Sequence, residues 1–356
     1  MAVDLATLKK TFKTIENRLD TLDFKTLWPR FKRYPFALYN DTMACFSTGC
    51  MPRPNTFMGN TALLHEEEWL AIWYLQEAHD LNRLTALIVH EMFHAHQHVS
   101  GESRFPDEMA AVFMMPCDAT YLDLKQAEHQ ALVHALRHQD KSSLKTMLTW
   151  RKQRTLTYPE RTKYENQVEV IEGSAHYVEL QALKQLDEKA YAKRLESMQA
   201  TLLDPARSLP LRPVSYAVGA LLLEALTQLK IPFEQSIAPN MPTYTDTLFA
   251  QFQTEANTHT PKAVCAPVLA EHQSIIKAKI NAILNDPEWV REGPFKLHGC
   301  NVYDAQYMAP YLYSTYFVMI QDKGEPFVEQ GTFVCEMDDR TVVKLYKMRT
   351  SETPTA

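Results

Sequence analysis

The spacing of apolar residues predicts a helical beginning followed by a small sheet. Between residues 1 and 33, apolar side chains recur three or four positions apart, at Leu5, Leu8, Phe12, Ile15, Leu19 and Leu22. This spacing is typical of amphipathic helices, and we expect one or two of them to pack against the rest of the chain. From residue 35 to about 64, short apolar runs alternate with the glycines and prolines of turns. We expect a small sheet there.

Helical spacing returns at residue 66 and dominates the middle of the chain. An acidic start at Glu66 precedes large apolar residues at helical intervals, so we expect a helix over 66–79 and a second one from Leu81 onward. Further helices are expected at 106–115, 121–139, 142–154, 163–186, 190–203, 214–229, 243–257 and 267–284. Prolines mark most of the connections between them.

The pattern changes again after Pro287, where aromatic and β-branched residues prevail. Because Gly324 and Gly331 can supply turns, we expect residues 295–348 to form a small antiparallel sheet. The whole pattern predicts an α+β fold that is predominantly helical. We divide it into an N-terminal helical segment, a central domain and a small C-terminal β-rich region, at residues 1–33, 34–290 and 291–356.

Composition and charge argue against several classes of function. The chain of 356 residues is 46% hydrophobic and 22% charged, as expected of a globular protein. Its net charge of −6 and the lack of a Lys/Arg block argue against nucleic acid as a partner. No apolar run is long enough to span a membrane, and the N-terminus lacks the apolar core of a signal peptide. The six cysteines are scattered without a Cys-x-x-Cys pair, so we expect free thiols and a cytoplasmic location.

The helix expected over residues 81–100 carries the candidate chemistry. Residues 90–94 read His-Glu-Met-Phe-His, which is the pattern H-E-x-x-H. On a helix, residues four apart lie one above the other, so His90 and His94 can bind one metal ion. Glu91 lies beside that ion without binding it, where its carboxylate can accept a proton from water.

Two further histidines of this helix are interpreted as bystanders. His98 lies roughly 12 Å along the helix axis from His90, which is too far for both to bind one ion. His96 points to another side of the helix, and we interpret both as surface or supporting side chains. Gln97 shares the ligand face and can support the site.

A third protein ligand is expected from another helix, because a catalytic zinc site usually has three. Glu165, Glu169 and Glu172 form a row on one side of the helix expected over 163–186. Such a row is often a solvated acidic face. Glu172, however, precedes three small residues and lies among apolar ones, and a buried carboxylate needs a partner such as a metal. Glu169 is the alternative ligand.

These residues resemble motifs of the gluzincin zinc metallopeptidases, the peptidase MA superfamily. The H-E-x-x-H pattern is followed by Glu-Gly-Ser-Ala-His-Tyr at residues 172–177, which is similar to the Asn-Glu-Gly-Phe-Ala-x-Tyr segment of the M1 aminopeptidases. Residues 214–221 resemble the Tyr-x-Lys-Gly-Ala segment of that family, with Tyr216 at the position of its tyrosine. The resemblance covers about residues 57–230, and it implies a thermolysin-like catalytic domain.

The resemblance also implies the activity of a zinc metallopeptidase. One zinc ion (Zn²⁺) per chain is bound by His90, His94 and Glu172, Glu91 is the general base for a metal-activated water, and the Tyr216 hydroxyl stabilises the tetrahedral intermediate. The Gly-x-Met-Glu-Asn motif of the M1 enzymes is absent, but residues 59–64 occupy its place and can form an edge strand that pairs with substrate. We expect a peptide or small protein as substrate and leave exo- or endopeptidase action open.

Two alternatives to a peptidase remain. A catalytically degenerate metallopeptidase fold would act as a binding protein, and the same zinc site can hydrolyse non-peptide substrates. Glu91 favours catalysis, because metal binding alone does not require a carboxylate between the histidines. His176 is either a substrate-binding or a packed histidine. The oligomeric state stays open, and the aromatic segment from Tyr303 to Phe317 is either an interface or a cover over the cleft.

Overall fold

The computed structural model of the chain describes residues 3–77, 79–114 and 118–349. Within them, two separate sheets are joined by a helical body, which confirms the predominantly helical α+β class. The N-terminal sheet has five strands in the order β3-β2-β1-β5-β4. These are Phe36–Tyr39 (β1), Met43–Phe46 (β2), Gly49–Pro52 (β3), Thr61–His65 (β4) and Glu68–Tyr74 (β5). β1 and β5 are parallel, the other neighbours are antiparallel, and β4 forms one edge.

The prediction of a helix over residues 66–79 is wrong, because residues 68–74 form strand β5. Residues 70–72 are buried in succession in this central strand, and such an unbroken apolar run fits a strand as well as a helix. Glu66 and Glu67 both have positive φ and make the two-residue turn from β4 to β5. Turns of this kind usually carry Asn or Gly, so the two glutamates concealed the hairpin in the sequence.

The expected N-terminal helices are confirmed as Leu5–Leu19 (α1) and Phe24–Leu27 (α2). The buried stripe of α1 belongs to the same core as the helix Leu81–Val99 (α3). Trp28 and Phe31, which follow α2, both make edge contacts with the ring of Phe93 on α3. The N-terminal segment therefore helps to hold the back of the helix that carries the H-E-x-x-H pattern.

The remaining expected helices are also confirmed, with one change. They span Glu108–Phe113 (α4), Ala119–His138 (α5), Lys141–Thr157 (α6), Pro159–Val168 (α7), Ser174–Leu186 (α8), Glu188–Leu203 (α9), Leu211–Gln228 (α10), Tyr244–Phe252 (α11) and Ala266–Asn285 (α12). Aspartates cap the first turns of α3, α4, α5, α6 and α9. The helix expected over 163–186 is instead α7 and α8, joined by a π-helical turn at Glu169–Gly173.

The expected C-terminal sheet is confirmed, and it begins earlier than predicted, at Pro287. It has seven antiparallel strands in the order β10-β9-β6-β12-β11-β8-β7. These are Pro287–Cys300 (β6), Gln306–Met308 (β7), Tyr311–Ser314 (β8), Phe317–Gln321 (β9), Phe327–Gln330 (β10), Phe333–Asp338 (β11) and Thr341–Met348 (β12). Isoleucines of α12 pack on one face of this sheet, beside Tyr313 and Val334.

The expectation of free thiols is wrong for one pair of cysteines. Cys45 and Cys50 are register partners in the β2–β3 hairpin and form a disulfide. Cys300 and Cys335 are free and buried, Cys265 is buried, and Cys117 lies outside the described residues. No helix in the described part of the chain combines the length and apolarity that a bilayer span requires.

Candidate metal centre

Helix α3 presents His90 and His94 on one face, one turn apart. Their Nε2 atoms are 3.1 Å apart, and both side chains are largely shielded from solvent. Elsewhere around the helix, Val89, Met92 and Phe93 are buried in the main core. Apolar packing therefore determines which way the two rings point.

Glu172 faces these histidines from the π-helical turn. Its Oε2 atom is 3.7 Å from His90 Nε2 and 3.4 Å from His94 Nε2. The turn lies tightly against α10, because a Cβ added to Gly173 would lie 2.6 Å from the Cα of Gly219. Glycine at both positions permits this approach of backbone to backbone, which brings Glu172 to the histidines.

The three candidate ligand atoms have the spacing of a tetrahedral zinc site. Zinc bonds of about 2.0–2.1 Å place neighbouring ligand atoms roughly 3.3–3.4 Å apart. The observed separations are 3.1, 3.4 and 3.7 Å. Two imidazoles and one carboxylate are also a donor set that zinc accepts. The side chains present therefore fit one zinc ion.

Electrostatics at this cluster favour positive charge. Burial disfavours the charged form of His90, yet the carboxylates of Glu172 and Glu179 raise the pKa of its ring to about 10. Burial likewise disfavours the charged form of Glu172, but His94 and His90 hold the pKa of its carboxyl well below the usual range. The cluster thus attracts a proton, and a cation in the same place satisfies the same carboxylates.

Glu91 differs from the other carboxylates of the site. It is 7% exposed and lines the cleft in front of the histidines. Burial raises the pKa of its carboxyl, although His90 and His94 oppose the effect. Among the described residues, none donates a hydrogen bond to it or pairs with it in an ion pair. Glu91 is therefore a nearly buried carboxylate that is free to exchange a proton with a molecule in the cleft.

Gln97 supports the site, as its place on the ligand face predicts. Its side-chain carbonyl accepts a hydrogen bond from His94 Nδ1 (2.8 Å), which leaves His94 Nε2 directed at the cluster. Its amide group donates to the backbone carbonyl of Ile171 (2.8 Å) and to Ser174 (3.1 Å). Gln97 thus connects α3 directly to the π-helical turn.

Glu179 is a residue of the site that the sequence reasoning missed. It is buried on α8, and its Oε2 is 3.6 Å from His90 Nδ1 and accepts a hydrogen bond from His176 Nδ1 (2.5 Å). The spacing contained a usable signal, because Glu172, His176 and Glu179 follow one another at helical intervals of four and three. His176 contacts the ring of His90 (4.5 Å between centroids) and also lines the cleft in front of the histidines.

The other predicted candidates lie away from the ligand cluster. His96 is buried among Phe31, Tyr34 and Phe93. His98 is an exposed side chain that stacks on Trp69 and lines the cleft.

The two remaining carboxylates of the acidic row, those of Glu165 and Glu169, are paired with cations behind the site. Glu169 accepts hydrogen bonds from Arg151 (2.6 and 2.9 Å). Glu165 accepts one from Lys125 (2.9 Å) and also binds Arg154. The solvated acidic face is therefore excluded, since all three carboxylates of the row are buried or largely so. Of the three, Glu172 is the one that lies beside the histidines.

A cleft of about 760 Å³ opens in front of the cluster. Tyr216 lines it from α10, and its buried hydroxyl has no hydrogen-bond partner among the described residues. Burial and the nearby Glu172 carboxylate raise the pKa of this hydroxyl far above its usual value, so it stays protonated and able to donate. Tyr303, from the loop between β6 and β7, forms part of the wall.

The edge strand β4 borders the same cleft. Residues 59–62, which lead into and begin β4, contribute to the lining. One side of β4 pairs with β5, and the other side is the edge of the sheet. An edge strand beside a cleft offers unpaired backbone groups to an extended chain.

Comparison of the chain with protein-family models, curated proteins and solved structures found no match. The gluzincin resemblance, the thermolysin-like arrangement and the zinc ion therefore stay predictions. So does the division of the chain at residues 33 and 290.

Proposed function

We propose that this protein is a zinc-dependent hydrolase of peptide bonds. His90, His94 and Glu172 bind the metal, and Glu91 is the general base. The observation that carries the proposal is the contrast between the carboxylates: Glu172 lies beside both histidines, whereas Glu91 faces the cleft with no described donor or ion-pair partner. A purely structural metal site has no need of this second, uncommitted carboxylate.

Zinc, when bound, is a Lewis acid that polarises a carbonyl group and makes water more acidic. The Glu91 carboxylate takes the proton from the water whose oxygen adds to the carbonyl carbon of the scissile bond. Glu91 then donates that proton to the amine as the carbon–nitrogen bond breaks. The raised pKa of Glu91 suits the first transfer, because a carboxylate whose pKa is higher is a better base.

Tyr216 stabilises the charge that develops during the reaction. Its hydroxyl is protonated and unpartnered among the described residues, so it can donate a hydrogen bond to the oxyanion of the tetrahedral intermediate. Removal of one such donor typically lowers the rate by about 10²–10³-fold. The shape of the cleft supports a peptide substrate, because the edge strand β4 can pair with an extended backbone.

Metal analysis and a substitution at Glu91 test the proposal together. We expect about one zinc per chain in the purified protein, and loss of that zinc in His90→Ala. Glu91→Gln should retain the zinc and lose turnover of peptides by at least about 10²-fold, since the variant cannot accept the proton. Glu196→Gln, on the exposed side of α9, is the matched control and should behave as the wild type.

Digestion of a peptide library, read by mass spectrometry, identifies the cleaved bonds and distinguishes terminal from internal cleavage. Full activity in Glu91→Gln would refute the assigned base. A zinc-loaded wild type that leaves every peptide intact would favour a non-peptide substrate or a binding protein instead.

A further inference from the structure

Arg212, at the start of α10, contacts the candidate ligand Glu172 on the side away from the histidines. Its Nη2 donates a hydrogen bond to Glu172 Oε1 (3.0 Å). The other carboxylate oxygen, Oε2, is the one that lies 3.7 Å and 3.4 Å from His90 and His94. The two oxygens of one carboxylate thus have separate partners.

Arg212 is itself held in place by a second carboxylate. Its Nη1 donates to Glu108 Oε1, from α4. The other oxygen of Glu108 accepts a hydrogen bond from the Tyr164 hydroxyl (2.7 Å). Tyr164 belongs to α7, the helix that continues through the π-helical turn to Glu172. The hydrogen bonds therefore form a chain that starts on α7, passes through α4 and α10, and returns to the end of the same helical segment.

This chain is shielded from solvent. The exposed fractions of the side chains are 13% for Arg212, 13% for Glu172 and 29% for Glu108. The guanidinium group also lies beside two aromatic rings, 5.4 Å from the centroid of Tyr216 and 5.6 Å from that of Tyr303. Arg212 is thus fixed from several sides.

We infer that Arg212 is a positioning residue of the metal centre: it binds Oε1 of Glu172 and so presents Oε2 to the ion. The inference rests on the proposed metal centre. A carboxylate with two free oxygens can rotate and offer either of them, whereas one with Oε1 bound can offer only Oε2 in this orientation. Groups that orient a ligand in this way typically contribute 10–100-fold to metal affinity.

The geometry requires an arginine, and another cationic side chain such as lysine cannot replace it. The two terminal nitrogens of one planar guanidinium bind two different carboxylates, and this fork has a fixed angle. A lysine ammonium is a single point charge, which can approach one carboxylate but cannot hold both in the same way. A purely electrostatic role makes the opposite prediction, because a nearby cation repels a metal ion and its removal would strengthen binding.

Zinc affinity in four variants tests the inference. We expect Arg212→Met to bind zinc about 10–100-fold more weakly than the wild type, and Arg212→Lys to bind at least about 5-fold more weakly although it keeps the charge. Glu108→Gln should weaken binding by a smaller factor, because Arg212 keeps its contact with Glu172. Arg207→Met is the control, since Arg207 is 60% exposed and pairs only with Asp204 among the described residues.

Two further measurements separate positioning from folding. Circular dichroism and thermal melting report the folded fraction, and the dissociation constant is measured on folded protein by competition with a zinc chelator. The absorption bands of the Co²⁺-loaded protein should shift in Arg212→Lys, because they respond to the orientation of the carboxylate ligand.

Equal or tighter zinc binding in Arg212→Met, or wild-type affinity and Co²⁺ bands in Arg212→Lys, would overturn the inference while the proposed function stands. A folded wild type that binds no zinc would overturn the proposed function and this inference with it.

Discussion

His90 presents its two ring nitrogens to two different carboxylates. Nε2 faces Glu172 across the candidate metal position, and Nδ1 lies 3.6 Å from Glu179. A histidine whose Nδ1 hydrogen points to a carboxylate keeps its Nε2 lone pair free for a metal, and the contact also fixes the plane of the ring. We therefore expect Glu179 to orient His90 at the proposed metal centre.

Glu179→Gln tests this role at the level of one functional group. We expect zinc affinity to fall by about 10-fold or more, because a neutral amide orients the His90 ring less strongly than a carboxylate does. The stoichiometry should remain one zinc per chain when zinc is in excess. Glu196→Gln is again the control. Titration with a zinc chelator measures the dissociation constant of zinc in both variants. An unchanged affinity would show that the α3 helix alone orients His90.

At the scale of the elements, the site depends on the crossing of α10 and the π-helical turn. A Cβ on Gly219 would lie 2.8 Å from the backbone carbonyl oxygen of Glu169 and 2.8 Å from the Cα of Gly173. Both contacts are with backbone, which cannot move aside as a flexible side chain can. The crossing positions Glu172 from one element and both Arg212 and Tyr216 from the other.

Gly219→Ala should therefore destabilise the protein and disturb the proposed metal centre. Alanine gains about 1 kcal/mol of helix propensity, but overpacking against backbone costs about 1–3 kcal/mol or more. At contacts this short we expect the steric term to prevail, with a net loss of about 2 kcal/mol in the free energy of unfolding by urea. Gly324→Ala, where an added Cβ meets nothing within 4 Å, should change it by less than about 0.5 kcal/mol. We also expect Gly219→Ala to bind zinc more weakly than the wild type, and Gly324→Ala to bind it equally well.

At the scale of the whole molecule, a buried ionic network joins three helices behind the site. Arg151 and Arg154 of α6 bind Glu128 of α5, and each also binds a glutamate of the α7 segment, namely Glu169 and Glu165. With Lys125, the network contains three cations and three carboxylates. Burying such a network costs desolvation free energy. Removing one member strongly destabilises the protein, because the charge of its partner is then buried without compensation. It fixes α7 and the π-helical turn against α5 and α6.

His129 lies next to this network and makes the stability of the folded protein depend on pH. Burial, reinforced by the cation of Lys125, lowers the pKa of its ring to about 3, and Arg154 acts in the same direction while Glu128 and Glu165 oppose it. In the unfolded chain the ring has a pKa near 6.5. Between about pH 6.5 and 3 the unfolded state thus binds a proton that the folded state does not, and stability falls as pH falls through this window.

His129→Gln should remove part of this acid sensitivity. Between pH 7 and pH 4 we expect the wild type to lose on the order of 2–3 kcal/mol more unfolding free energy than the variant. Urea unfolding at several pH values measures the difference. His138→Gln, at an exposed position on the same helix, should keep the wild-type dependence. Parallel pH profiles of the wild type and His129→Gln would contradict the assigned role of His129.

The sequence by itself determined what depends on neighbours a few positions away. The helix with His90 and His94 on one face, Glu91 beside them, and Gln97 on the same face follow from the 3.6-residue period alone. The other helices follow from the same period, and the two sheets were predictable because short apolar or β-branched runs are separated by turn-forming glycines and prolines. Strand β5 was not predictable, because an unbroken apolar run has no periodicity that distinguishes a strand from a helix.

The tertiary structure alone decided which distant groups meet. Glu165, Glu169 and Glu172 lie on one side of the helical pattern, and only their neighbours in the sequence favoured Glu172 as the ligand. Packing against α6 and α3 places two of the carboxylates beside cations and the third beside the histidines. The π-helical turn, the contact of Gly173 with Gly219 and the Arg212 fork have no counterpart in local periodicity. They arise because segments far apart in the chain pack against each other. A buried carboxylate then pairs with the donor or cation that this packing brings into contact with it.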